Sequence, residues 1–155
     1  MVDFGLKPDD GVVIVDHGSR VDASNLALLE VADLFRASLD HPIVLPAHME
    51  LAEPSIADAV AQCAAMGAKR IVMVPFFLLP GRHWRKDIPQ LTADACKEVG
   101  NLPFLVTSPL GVAQGVVDVL AGRMQSCLRL AELDQAGCEL CGPESGCWKH
   151  DKALG

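Results

Sequence analysis

The stretch from Ile71 to Pro89, IVMVPFFLLPGRHWRKDIP, constrains the fold more than any other part of the chain. Ile71, Val72, Met73 and Val74 run without a polar break, the pattern of a strand covered on both faces. Pro75, Pro80 and Gly81 then bar a regular helix and predict a shaped loop. From that loop emerge Arg82, His83, Trp84, Arg85 and Lys86. A parallel sheet builds its sites at the carboxyl ends of its strands, so chemistry is expected here.

The rest of the chain repeats the motif. Gly11–Val15 reads as a first strand, closed by Asp16-His17-Gly18-Ser19-Arg20. Ala23–Leu39 follows as a helix, with Leu28, Val31, Ala32, Phe35 and Leu39 at helical spacing. Ile43–Ala47 forms strand two and leads into His48-Met49-Glu50. Glu53-Pro54-Ser55 opens a second helix that buries Ile56, Ala59, Val60 and Cys63, and Gly67 ends it. A third helix is expected from about Pro89 to Val99, then a strand over Phe104–Thr107. A last helix is expected from Gly111 to about Ala131, turning Val116, Val119, Leu120 and Cys127 inward. This alternation predicts an α/β fold, a parallel sheet of about four strands flanked by helices. One domain spans 1–133, and residues 134–155 form a polar, Cys-rich appendage.

Composition enters through charge. The formal net charge of −7 makes wholesale nucleic-acid binding an unsuitable role. Yet four of the thirteen cations, Arg20, Arg82, Arg85 and Lys86, sit beside the two sharpest histidine motifs. That placement predicts an anionic ligand. No apolar run approaches the ~18 residues of a membrane span, and the acidic start has no secretory apolar core, so no membrane partner is expected. An organellar transit peptide is expected to have been removed or never to have existed.

Each of the first three strands runs on to a histidine: His17, His48 and His83. If those strands are neighbours, the imidazoles cluster, with Glu50 on the same edge. Neutral imidazole is a base near pH ~6.5 and a good ligand for divalent first-row metals. His-Gly-Ser is not a serine-hydrolase elbow, and no dinucleotide or Walker A loop is present. Gly18-Ser19-Arg20 offers a weak phosphate cradle.

Together, VDHGSR at 15–20, AHMELAEPSI at 47–56, PGRHW at 80–84, DIPQLTADA at 87–95 and the cysteine tail resemble the sirohydrochlorin ferrochelatases. These are the short class II chelatases, which insert Fe(II) into sirohydrochlorin to make sirohaem, and the Cys-containing tail is most similar to their plant and algal branch. The resemblance implies that His17 and His83 hold the substrate iron and take protons from the pyrrole N–H groups, with Glu50 assisting. His48 is either an orienting partner of Glu50 or structural. The carboxylate-bearing rim of the substrate would meet Arg20, Arg82, Arg85 and Lys86. Trp84 either lines the macrocycle or packs in the core. The resemblance further implies a homodimer in the plastid stroma, in a form without its transit peptide, with a bacterial cytosol the alternative. The rival readings are a cobalt or nickel chelatase and a non-enzymatic metal or iron–sulfur carrier.

The tail supplies Cys138, Cys141 and Cys147 in one short loop. With His150 these would make a Cys3His zinc site; an iron–sulfur cluster usually takes four cysteines. The resemblance implies a [2Fe-2S] cluster. Cys127 is a candidate fourth ligand, set against its reading as a plain buried cysteine on the apolar face of the last helix. Cys63 and Cys96 are expected to be thiols outside any such site.

Overall fold

A computed structural model of the chain describes residues 4–132, in two units, 4–111 and 112–132. In the first, β1 (Asp10–Asp16), α1 (Asp22–Leu39), β2 (Val44–His48), α2 (Ile56–Ala65), β3 (Arg70–Pro75), a π-helical turn (His83–Asp87), α3 (Ile88–Glu98) and β4 (Phe104–Val106) follow one another. The second unit contains α4 (Gln114–Glu132). The four strands form one sheet in the order β2-β1-β3-β4, every pair parallel.

Burial on both faces explains the unbroken apolar runs. Successive strand side chains point to opposite faces. Val13, Val15, Ile71 and Met73 therefore join Ile56, Val60 and Cys63 of α2 and Ile88 and Ala95 of α3 in one core layer. Val12, Ile14, Val44 and Val72 meet Leu28 and Ala32 of α1 in the other. Val31, Phe35 and Leu39 pack against that second layer, as their spacing predicts. Helix α2 starts at a capping box, Ser55 and Asp58 satisfying each other's backbone N–H, and its chain turns away at Gly67 with φ +97°. Pro54 thus precedes the cap and does not enter the first turn.

Two expectations are corrected. His83 to Asp87 do not lie in a loop: the Ile88 N–H bonds the His83 carbonyl, so helical structure begins five residues before Ile88. After Gly81 no residue before Pro89 breaks a helix, and Pro89 itself falls in the first turn of α3, where its missing N–H costs nothing. In the second unit, Val119, Leu120 and Cys127 of α4 are exposed rather than turned inward. Among the described residues no helix is long and apolar enough to cross a membrane.

The outer edge of β2 is partly covered. Arg36 donates from Nε and a terminal nitrogen to the Val44 carbonyl at 3.2 and 2.7 Å. Pro46 has no N–H, and the His48 N–H donates to the Pro54 carbonyl at 2.8 Å.

At the amino ends of β1 and β3, Asp10 is paired in register with Arg70. Asp10 is 1% exposed, and its carboxylate accepts from Arg70 at 2.8 and 2.5 Å and from the Lys7 N–H at 2.8 Å. Burial alone pushes this carboxyl up, but the Arg70 fork, the Lys7 N–H and the attraction of both cations hold it below 3.8. A depressed folded-state pKa contributes stability above the unfolded value and loses it as pH falls through the folded one. Asp10→Asn is therefore expected to cost about 3 kcal/mol at pH 7, the lower end for breaking a buried pair, because Arg70 keeps contact with water. Urea unfolding at pH 7 and pH 3 should show the gap between wild type and variant narrowing in acid; a gap independent of pH would contradict the assignment.

Candidate active site

The strand order reverses direction around β1. The chain leaves β1 to one side to form β2, then crosses back to form β3 on the other. The crevice at the carboxyl ends of β1 and β3 is thus the topological switch point, where open α/β sheets bind ligands.

His17 follows β1 directly, in a turn built by its neighbours. The Asp16 carboxylate accepts the Gly18 N–H at 2.9 Å and faces His48 Nδ1 at 2.6 Å. Gly18 has φ +86°, and a Cβ there would stand 1.8 Å from the Glu50 carbonyl oxygen, so only glycine lets the two segments meet. The β1–β2 pairing continues past the strands, with Met49 N–H on the Asp16 carbonyl at 2.9 Å and Glu50 N–H on the His17 carbonyl at 3.1 Å. That zipper delivers Glu50 Oε1 to within 2.9 Å of His17 Nε2.

His83 arrives from the other side of the crevice, on the π-helical turn after β3. Its ring centroid lies 5.1 Å from that of His17, with the planes at 72°. Its Nδ1 is 2.8 Å from Asp87 Oδ2, one helical step along. The His17 and His83 side chains are 42% and 46% exposed, so the pair is open to a ligand. A cleft of about 380 Å³ lined by Met49, Glu50, His83, Asp87, Gln90 and Leu91 lies beside it. Each imidazole thus stands next to its own carboxylate. Such an arrangement can hold a divalent ion weakly and accept protons nearby. Among the described residues, no three His, Cys, Asp or Glu side chains converge as a ready-made metal cage.

The other expected residues divide. His48 is fully buried and does not reach the histidine pair; it meets Asp16, not Glu50, and among the described residues its Nε2 has no hydrogen-bond partner. Its place is behind the His17 turn. Arg20 is exposed on a separate cleft of about 520 Å³, beside Asn25, Leu26, Leu51 and Glu53. Arg82, Arg85 and Lys86 are exposed on or next to the π-helical turn. None of these four cations has an ion-pair partner among the described residues. Trp84 is half-buried and donates Nε1–H to the Thr107 carbonyl at 2.8 Å, which ties the turn to the end of β4. Cys63 and Cys96 are buried, and burial pushes the Cys63 thiol up to about 12 and raises Cys96. Cys127 is exposed. Cys138, Cys141, Cys147 and His150 lie outside the described residues. Sequence reasoning missed Asp16 and Asp87; the signal for Asp87 was its spacing four residues from His83 on a helical turn.

The family profile of CbiX matches residues 11–127. The chain is 50% identical over 147 residues to the chloroplastic sirohydrochlorin ferrochelatase of Arabidopsis thaliana, covering 95% of this chain and 65% of that protein. It is 39% identical over 85 residues to the sirohydrochlorin cobaltochelatase of Methanothermobacter thermautotrophicus, covering 55% of this chain and 59% of the relative. The chain therefore spans less than two thirds of either relative. Among solved structures, the sirohydrochlorin chelatase SirB of Bacillus subtilis subspecies spizizenii in complex with cobalt superposes with a TM-score of 0.71 at 28% identity, over 76% of this chain and 50% of that one. The parallel order of the strands and the profile match point the same way, since the matched residues run from β1 past β4 and include both facing histidines: the chain belongs to the CbiX family.

Proposed function

We propose that this chain is a metal chelatase that inserts Fe(II) into sirohydrochlorin, releasing two protons, to form sirohaem. The observation that carries the reading is the facing of His17 and His83 at 5.1 Å, each beside a carboxylate, at the switch point of the sheet. Metallation exchanges two pyrrole N–H protons for one dication, so the site must bind the ion loosely and remove protons close by. The imidazoles do the first. His17 with Glu50 is placed for the second, since a proton taken on the ring meets a carboxylate at 2.9 Å. Arg20, Arg82, Arg85 and Lys86 attract the carboxylates of the macrocycle; at ~0.2–1 kcal/mol per exposed pair they steer more than they anchor. Trp84 serves by fixing the turn that carries His83.

The Arabidopsis relative's name supports iron as the substrate metal and the chloroplast as the location. The cobaltochelatase relative and the cobalt-bound SirB favour cobalt as a second reading. The match to 50% of SirB supports a homodimer, in which two copies supply what one SirB chain contains. Residues 1–133 would form the chelatase domain and 134–155 the ligand loop of a [2Fe-2S] cluster. The thiol inventory fits: Cys63 and Cys96 are buried core thiols, which leaves Cys127, exposed, with Cys138, Cys141 and Cys147 as a four-thiolate set. When bound, the cluster supplies one-electron redox chemistry.

The deciding experiment mixes sirohydrochlorin anaerobically with iron, cobalt or nickel and follows absorbance with and without the protein. A protein-dependent rate greatest for iron is expected; no protein-dependent rate with any metal would overturn the reading. The same preparation should elute as a dimer on gel filtration and show a cluster by EPR after dithionite, whereas colourless protein with stoichiometric zinc would assign the tail to zinc.

A further inference from the structure

We infer that Asp87 is a positioning residue that fixes the tautomer of His83, so that His83 Nε2 offers a lone pair to the incoming ion. The inference rests on the chelatase reading but has its own geometry. An ionised carboxylate only accepts hydrogen bonds. With Asp87 Oδ2 at 2.8 Å, the proton of a neutral His83 therefore sits on Nδ1, and Nε2 is left bare. No hydrogen bond to His83 Nε2 occurs among the described residues.

His17 is held differently. Both of its ring nitrogens face acceptors, Nε2 the Glu50 carboxylate at 2.9 Å and Nδ1 the Gly18 carbonyl at 3.3 Å, so neither points a lone pair into open space. The two rings are not equivalent in this state. His83 is ready to ligate, whereas His17 must leave an acceptor to do so. Asp87 therefore makes His83 the first landing point for the ion, with His17 and Glu50 left to deal with protons. The π-helical turn supports the arrangement, since the Ile88 N–H bond to the His83 carbonyl holds residues 83 to 87 in one wound turn. Asp87 also lines the cleft that Glu50 lines, so both carboxylates are local. A carboxylate behind a ligating histidine orients the ring and raises its basicity, and losing it typically costs about 10–100-fold in metal affinity.

The test measures the His83 tautomer by nitrogen-15 NMR of histidine-labelled protein, and Co(II) binding by visible absorption, in wild type, Asp87→Ala and Asp87→Glu. Asp87→Ala is expected to move His83 toward the Nε2–H tautomer and weaken Co(II) binding about 10–100-fold, and Asp87→Glu to restore most of both. Should Asp87→Ala fail to fold by circular dichroism, Asp87→Asn takes its place, since its amide N–H can donate to Nδ1 and impose the wrong tautomer. An unchanged tautomer overturns the inference. If affinity is then retained, Asp87 is idle; if affinity falls, Asp87 binds the ion itself. Wild-type metallation of sirohydrochlorin is run alongside. A wild type without metallation activity, but with the tautomer and affinity effects intact, would remove the chelatase reading and leave the positioning role standing.

Discussion

Replacing His83 with alanine lowers the protein-dependent rate of sirohydrochlorin metallation by about 10²–10⁴-fold, the range for removing a positioned acid–base group, and His17→Ala does the same. Both rings face one another, so each variant removes half of one ion-holding unit. The double variant should therefore lose little more than either single, because residues that act together are strongly non-additive. Stability separates the chemistry from the fold. Both side chains are more than two-fifths exposed, so alanine there should stay within about 0.5 kcal/mol of wild type in urea unfolding. Two single variants that each keep the wild-type rate would end the catalytic assignment, even if both still bind metal.

Gly18→Ala is expected to be the most damaging glycine substitution among the described residues. Its backbone sits at φ +86°, a region that costs a non-glycine residue about 1–3 kcal/mol. The new methyl would also stand 1.8 Å from the Glu50 carbonyl oxygen, a backbone atom that cannot rotate away. Together these should destabilise the fold by about 3–5 kcal/mol, or push the Glu50 segment off its pairing with His17. Either way Glu50 Oε1 leaves His17 Nε2 and metallation falls with it. Gly81→Ala is the control for stability, since nothing lies within 4 Å of a Cβ there. Equal unfolding midpoints for the two variants would contradict the clash.

The strands were legible because burial on both faces leaves a plain sequence trace. Val12–Val15 and Ile71–Met73 show as unbroken apolar runs for the reason that α1 covers one face and α2 with α3 the other. The histidine pair was legible for a topological reason, as the residues after adjacent parallel strands must emerge at one edge. The π-helical turn was not. Pro75, Pro80 and Gly81 do break the chain, but the helix resumes immediately after them, and nothing in RHWRKD beyond the four-residue spacing of His83 and Asp87 marks that restart. Of the two readings of His48 the structural one fits, since its position at a strand end matches His17 while its ring turns inward to Asp16. Pairing of a buried imidazole with a carboxylate 32 residues away is a tertiary fact with no local signature. The apolar residues of α4 misled: helical spacing identifies a face but not whether anything covers it.

The partly covered border of β2 bears on solubility. A bare strand border is a template on which further chains assemble, and proteins blunt it with proline, charge or cover. Here all three are used within five residues: the Arg36 guanidinium takes one outward acceptor, Pro46 removes a donor, and the Pro54 carbonyl takes the next. Growth of the sheet past β2 is hindered at these positions, so copies of this chain that meet along β2 must do so through side chains rather than through a continuous ladder.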